Sequence, residues 1–203
     1  MSRLGSTRTV FATVEDKATL RKRLRAARKE HAASLPESMR GLVFRHPPAA
    51  LIEMIPADAV IGLYRAMPGE APATAYTQFF YERGHTVALP RIGRLDEPMQ
   101  FHLHTDPLGE SDLVEGTMRI LQPADDAPKI APDVLLMPLV GFTERGERLG
   151  QGGGFYDRWL ADHPATIAIG MAWDCQLVEA LPIEDHDQPL SAVVTPTRFY
   201  GPF

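Results

Sequence analysis

The chain has 203 residues, 44% of them hydrophobic and 23% charged, with a formal net charge of −5. That length and balance suit one soluble globular domain with a substantial core, and the acidic total argues against a general nucleic-acid binder. No apolar run approaches the ~18 residues of a membrane span, and the single cysteine, Cys175, excludes an internal disulfide or a Cys-rich zinc site.

Residues 1–12 are basic and hydroxyl-rich without a signal peptide's apolar stretch, so the expectation is a disordered leader on a cytoplasmic protein. Residues 13–203 are expected to form a single domain. Thr13 and Asp16 stand at a spacing that caps a helix, and DKATLRKRLRAARKEHAA is rich in strong helix formers. Ser34 and Glu37 with Pro36 mark a second helix, interrupted at Pro47 and Pro48. AVIGLY (59–64) is a strand-like run, followed by a Pro-Gly loop, a helical TAYTQFFYERG and a strand in HTVALPRI. Residues 93–128 are loop-rich with one short hairpin. DVLLMPLVGF (133–142) is a strand, YDRWLADH (156–163) a helix, TIAIGMAW (166–173) a buried strand and SAVVT (191–195) the last strand. Short apolar runs alternating with helices predict an α/β domain with a mostly parallel central sheet flanked by helices, the N-terminal helices packed outside.

The chemistry concentrates in RLGQGGGFYDRWL (148–160), between the strongest strand candidate and a helix. Gly150, Gly152, Gly153 and Gly154 permit positive φ and let a ligand approach main-chain N–H groups, with a helix N-terminus behind them. That combination suits a phosphate, although it matches neither a Walker loop nor a Gly-x-Gly-x-x-Gly turn. On the glycines alone, a tight turn with close backbone packing stands beside the phosphate cradle. Arg148 brings a guanidinium suited to bidentate phosphate contact. Asp157, in the first helical turn, is either a helix-start acid or a cation ligand. Lys17 and Arg21 are four apart and share a helical face near Leu24 and Arg28, which on spacing alone is a solvated basic face.

MPLVGFTERGERLGQGGGFYDRWL resembles the signature of the 5-formyltetrahydrofolate cyclo-ligase (5,10-methenyltetrahydrofolate synthetase) family. DKATLRKRLR, YRAMPGEAPAT and LPIEDHDQPLSAVVTP extend the resemblance over most of the chain, in the same order. It implies an ATP- and Mg2+-dependent ligase that closes the 5-formyl group of a reduced folate onto N10 through a phosphorylated formyl group, releasing ADP and phosphate. It further implies that Lys17 and Arg21 bind ATP. Arg148, Leu149, Gly150, Gln151, Gly152, Gly153, Gly154, Phe155 and Tyr156 match the nucleotide and substrate loop, with Arg148 and Tyr156 placed in catalysis and Gln151 and Phe155 also facing substrate. Asp157 and Asp187 match magnesium carboxylates, with His186 beside them a surface histidine. Met67 and Glu70 fall where the family contacts the folate, although a loop glutamate is ordinarily solvated. ATP and 5-formyltetrahydrofolate are then the partners of a monomer, with no nucleic acid and no membrane. Gln151 stands where many members carry a basic residue, Gly153 where some carry lysine, and Phe155 where tyrosine is commoner. The competing readings are a relative acting on another N-formyl compound, a nucleotide- or RNA-binding module using the basic first helix, and an isomerase-like fold that does not use ATP.

Overall fold

The computed structural model describes residues 15–40, 42–94 and 96–203, so the leader at 1–12 and Thr13 lie outside the described residues. The first helix, α1 (Lys17–Ser34), starts at Asp16, whose carboxylate accepts the N–H groups of Ala18 and Thr19. Aspartate therefore satisfies two of the orphan donors at the helix start by itself. Leu20, Leu24 and Arg28 form the buried stripe of α1, and its leucines pack on Val140, Leu149 and Leu181.

The second expected helix is two short ones. α2 (Glu37–Arg40) ends before the prolines, and α3 (Ala49–Glu53) starts after Pro48. Proline has no N–H to leave unpaired and is tolerated at a helix start, so Pro48 begins a helix here.

The sheet is built from β1 (Ile61–Gly62), β2 (Val87–Arg91), β3 (Gln100–Leu103), β6 (Val134–Pro138), β9 (Ile167–Met171), β10 (Ala192–Val194) and β11 (Phe199–Tyr200). A separate hairpin pairs β4 (Leu113–Glu115) with β5 (Leu121–Pro123), and a second pairs β7 (Gly141–Phe142) with β8 (Arg148–Leu149). The strand order is β11-β10-β9-β6-β1-β2-β3. The five inner strands are parallel and both edges are antiparallel. Both faces are covered, so the central strand reads as a continuous apolar run, and Val134, Leu135, Leu136 and Met137 are fully buried. Val134 and Leu136 face the cluster holding Tyr76, Phe79 and Phe80 of α4 (Thr74–Glu82). Leu135 and Met137 face Trp159 and Leu160 of α5 (Phe155–Asp162). Among the described residues no helix is long and apolar enough to cross a membrane.

Three expectations are corrected. SAVVT is not the last strand, because β11 turns back antiparallel beside it. The loop-rich stretch yields β3 at the sheet edge in addition to the β4–β5 hairpin. The glycine loop does not follow β6 directly: the β7–β8 hairpin intervenes, turning at Gly146, whose φ is 81° and whose N–H donates to the Thr143 carbonyl. These pieces are two to four residues long, too short to carry a period of their own.

Strand order decides where a ligand can bind. From β1 the chain moves outward to β2 and then returns to β6 on the other side of β1. In open parallel sheets a crevice forms at the carboxyl ends of strands where the order reverses.

Candidate active site

A cleft of about 830 Å³ opens at that reversal, a volume in the usual range for a small-molecule site. Tyr64, Met67 and Glu70, following β1, line it together with Pro138 at the end of β6. α1 and the glycine loop enclose one half. Pro90, Ile92, Met99, Ile120 and Leu121 make the other half apolar.

The basic face of α1 is turned inward. Lys17 Nζ lies 2.7 Å from Asp187 Oδ2 and 3.1 Å from Glu184 Oε2. Arg21 Nε donates to the Gly150 carbonyl at 3.0 Å. Arg25 donates through Nε to Gln151 Oε1 at 2.8 Å and through a terminal nitrogen to the Gln151 carbonyl at 2.6 Å. The solvated-face reading is therefore corrected: the i, i+4, i+8 spacing puts three cations in one row, each with a partner at the cleft. Burial works against charge on Lys17, but the Asp187 and Glu184 carboxylates outweigh it and hold its pKa above the usual value.

Within the loop, Gly152 has φ 102° and Gly154 has φ 62°, whereas Gly150 and Gly153 do not adopt positive φ. Of the four glycines that permit positive φ, Gly152 and Gly154 use it. A Cβ on Gly150 would meet nothing within 4 Å, and this residue lines the cleft. A Cβ on Gly153 would come 2.9 Å from ring atoms of Phe155, so a side chain at 153 requires that ring to move. Gly154 caps α5 without a side-chain hydrogen bond, which leaves the first N–H groups of the helix available to an anion.

Arg148 on β8 is buried. Its guanidinium donates to Asp157 Oδ1 at 2.5 Å and to the Gln188 carbonyl. Asp157 Oδ1 also accepts the Gln188 N–H at 3.2 Å, tying β8, α5 and the segment before β10 together. Burial pulls the Arg148 pKa below its usual value against the opposing pull of Asp157. Asp187 accepts from the Glu184 N–H at 2.8 Å. Burial pushes its carboxyl up, but the Lys17 hydrogen bond and that N–H outweigh burial and hold it below the usual range. Asp157 and Asp187 both line the cleft, each paired with a cation. Among the described residues no group of three His, Cys, Asp or Glu side chains is arranged to hold a metal ion by itself. His186 is exposed, 3.4 Å from Glu184.

Glu70 is not the solvated loop residue that its position suggests, for it is 6% exposed. Pro68 and Gly69 form a tight turn, with Gly69 at φ 87° and the Glu70 N–H bonded to the Met67 carbonyl at 2.9 Å. Glu70 Oε2 accepts the Met67 N–H at 3.0 Å and Oε1 accepts Gln151 Nε2 at 3.0 Å. Tyr64 donates to the Ala71 carbonyl beneath it. Burial pushes the hydroxyl pKa values of Tyr64 and Tyr156 well above normal, so both stay protonated.

The model of the 5-formyltetrahydrofolate cyclo-ligase family matches residues 13–196. The chain belongs to the 5-formyltetrahydrofolate cyclo-ligase family. It is an enzyme of that class, a ligase of folate one-carbon chemistry. The 5-formyltetrahydrofolate cyclo-ligase of Escherichia coli K12 is 34% identical over 187 residues, covering 89% of this chain and 98% of the relative. The cyclo-ligase of Haemophilus influenzae is 34% identical over 136 residues, covering 64% and 72%. The solved 5,10-methenyltetrahydrofolate synthetase of Aquifex aeolicus shares the fold at a TM-score of 0.73 and 23% identity, covering 92% of each chain.

For this cyclo-ligase family member, the cleft gathers every site residue anticipated from sequence: Lys17, Arg21, Met67, Glu70, the loop from Arg148 to Tyr156, Asp157 and Asp187. Sequence reasoning missed Arg25, the Tyr64 support and the apolar wall. The i+8 spacing from Lys17 was an available signal for Arg25. The wall had none, since its residues come from β2, the β3 approach and the β4–β5 hairpin.

Proposed function

We propose that the chain catalyses the ATP- and Mg2+-dependent cyclisation of 5-formyltetrahydrofolate to 5,10-methenyltetrahydrofolate, releasing ADP and phosphate. One observation carries this reading: a single cleft joins a cationic half, built from α1 and glycine backbone, to an apolar half, and the buried carboxylate of Glu70 is among its lining residues. The cationic half suits a triphosphate. Arg148, Lys17 and Arg21 offer charge-assisted hydrogen bonds, and the α5 N-terminus offers main-chain donors. The apolar half suits a flat heterocycle, whose amino and ring N–H groups would donate to Glu70, beside Met67 in the cleft lining.

In the proposed reaction the formyl oxygen attacks the γ-phosphoryl group. An O–P bond forms as the bond to ADP breaks, so the oxygen becomes part of a phosphate leaving group. N10 then adds to the activated carbon, its proton is lost, and the carbon–oxygen bond breaks to release phosphate. Little covalent chemistry falls to the protein, which contributes alignment and charge neutralisation. Gln151 links Arg25 of α1 to Glu70, and we take it to align the two substrates. Tyr156, which lines the cleft and stays protonated, is the residue we propose to donate to the transferring group.

The donor set fits Mg2+, which takes hard oxygen ligands and commonly one or two carboxylates plus substrate phosphates. Asp157 and Asp187 are such donors at the cleft. Held there, the ion would supply charge neutralisation for the phosphates. The pairs Lys17–Asp187 and Arg148–Asp157 keep these charges satisfied without ligand. Exchange of partners on nucleotide binding moves both cations to phosphate and frees both carboxylates.

The test is the absorbance of the methenyl product with and without ATP and Mg2+. Omission of either is expected to abolish product, and equal rates without nucleotide overturn the reading. A second expected outcome concerns α1. Lys17→Ala raises the KM for ATP about tenfold, because a charge-assisted contact is lost. The Lys17–Asp187 pair is largely buried, with side chains 15% and 16% exposed, so a stability loss of about 1–2 kcal/mol accompanies the substitution. An unchanged KM for ATP would return Lys17 to a purely structural tie.

A further inference from the structure

We propose that Arg28 is a positioning residue for the folate substrate, holding the Glu70 carboxylate in place and balancing its charge from outside the cleft. The proposal rests on the reading that Glu70 receives the folate ring. Arg28 and Glu70 are both buried, with side chains 7% and 2% exposed, and an Arg28 terminal nitrogen lies 3.6 Å from Glu70 Oε1. The same nitrogen donates to the Leu139 carbonyl at 3.2 Å, so the guanidinium is anchored to the segment after β6. Arg28 does not line the cleft, whereas Glu70 does.

Stability does not account for this pair. Arginine is almost never buried unless paired, and an apolar pair of similar volume is often as stable or more so. Here the arrangement is poorer still, because Arg28 Nε is buried without a hydrogen-bond partner, a costly state for a charged group. Two further contacts show what the pair holds. The Pro68-Gly69 turn is seated on α1 at this point: a Cβ on Gly69 would stand 3.6 Å from Lys29 Cα and 4.0 Å from Arg28 Nε. On the opposite element, Trp173 Nε1 donates to the Gly69 carbonyl at 2.9 Å. With the turn clamped, Oε2 on the Met67 N–H and Oε1 between Gln151 and Arg28, Glu70 has one orientation. Its remaining lone pairs are free to accept from a ligand.

The experiment is a double-mutant cycle on the full chain, measuring KM for 5-formyltetrahydrofolate, KM for ATP and thermal unfolding for Arg28→Met, Glu70→Gln and the pair. Arg28→Met is expected to raise the folate KM about tenfold or more while the ATP KM stays within about twofold. In the Glu70→Gln background, Arg28→Met is expected to change the folate KM by less than about twofold, since its effect acts through Glu70. Arg28→Lys, which keeps the charge, should recover part of the loss. Equal increases in both backgrounds, or an ATP KM rising in step, would overturn the proposal. If Arg28→Met does not fold, the double variant carries no unpaired carboxylate, and its folate KM compared with that of Glu70→Gln decides the matter by the same twofold criterion. A Glu70→Gln enzyme with an unchanged folate KM would instead refute the reading of Glu70.

Discussion

Arg148→Met is expected to lower kcat/KM for methenyl formation by about two to three orders of magnitude and to destabilise the protein at the same time. On the proposed phosphoryl transfer, the catalytic loss follows from removing a preorganised cation from developing phosphate charge, where such donors are worth most. The stability loss has a separate cause. Asp157 would keep only the Gln188 N–H, and the Gln188 carbonyl would lose its guanidinium donor. Removing one partner of a buried pair is costly because the other charge stays behind. The Asp157 side chain retains 20% exposure, so about 2 kcal/mol is a reasonable expectation. Asp157→Asn separates the two effects: it keeps a hydrogen-bond acceptor for Arg148 and should fold well while demanding more Mg2+. Steady-state absorbance against Mg2+ and ATP, beside denaturant unfolding, checks both. An Arg148→Met enzyme within about tenfold of the parent would make Arg148 a tie between β8, α5 and the 184–188 segment, and nothing more.

Trp173→Ala is expected to cost about 3–5 kcal/mol, the range for truncating a large core aromatic. Trp173 is 2% exposed and joins elements far apart in the chain. Its ring meets Phe44 edge-on at 5.6 Å and His31 of α1 at 5.2 Å, while its N–H holds the Gly69 carbonyl. Trp173→Phe keeps most of the ring and loses that hydrogen bond, for about 1 kcal/mol. Because the bond seats the turn that carries Glu70, the phenylalanine variant should also raise the folate KM with the ATP KM unchanged. A urea midpoint shift at constant slope measures the first effect. If Trp173→Ala lost less than about 1 kcal/mol, the contacts around this ring would not be holding the turn on α1.

Local signals in the chain determined the α/β class, the order of the long elements and the position of the glycine loop. An apolar run such as 134–137 encodes a doubly covered strand by itself, and the four-residue spacing of Lys17 and Arg21 puts them on one face whatever they touch. The roles proposed for Lys17, Arg21, Asp157 and Asp187 come from the resemblance, because spacing alone fits a solvated face or a helix-start acid equally well. Tertiary structure alone decided which short runs became strands. β3, β7, β8 and β11 hold two to four residues each, and their pairing depends on partners supplied by the rest of the sheet. It also decided that, within the glycine loop, Gly152 and Gly154 take left-handed backbone and Gly150 and Gly153 do not, since φ depends on where the loop must go between β8 and α5. Above all it decided the fate of Glu70. A glutamate after a Pro-Gly turn is ordinarily solvated, yet this one is enclosed by Arg28 from α1 and Gln151 from 81 residues further along the chain. Composition and periodicity describe which face of an element is apolar. They hold no information on which distant side chain will stand opposite, because that follows from the strand order and the reversal between β1 and β6.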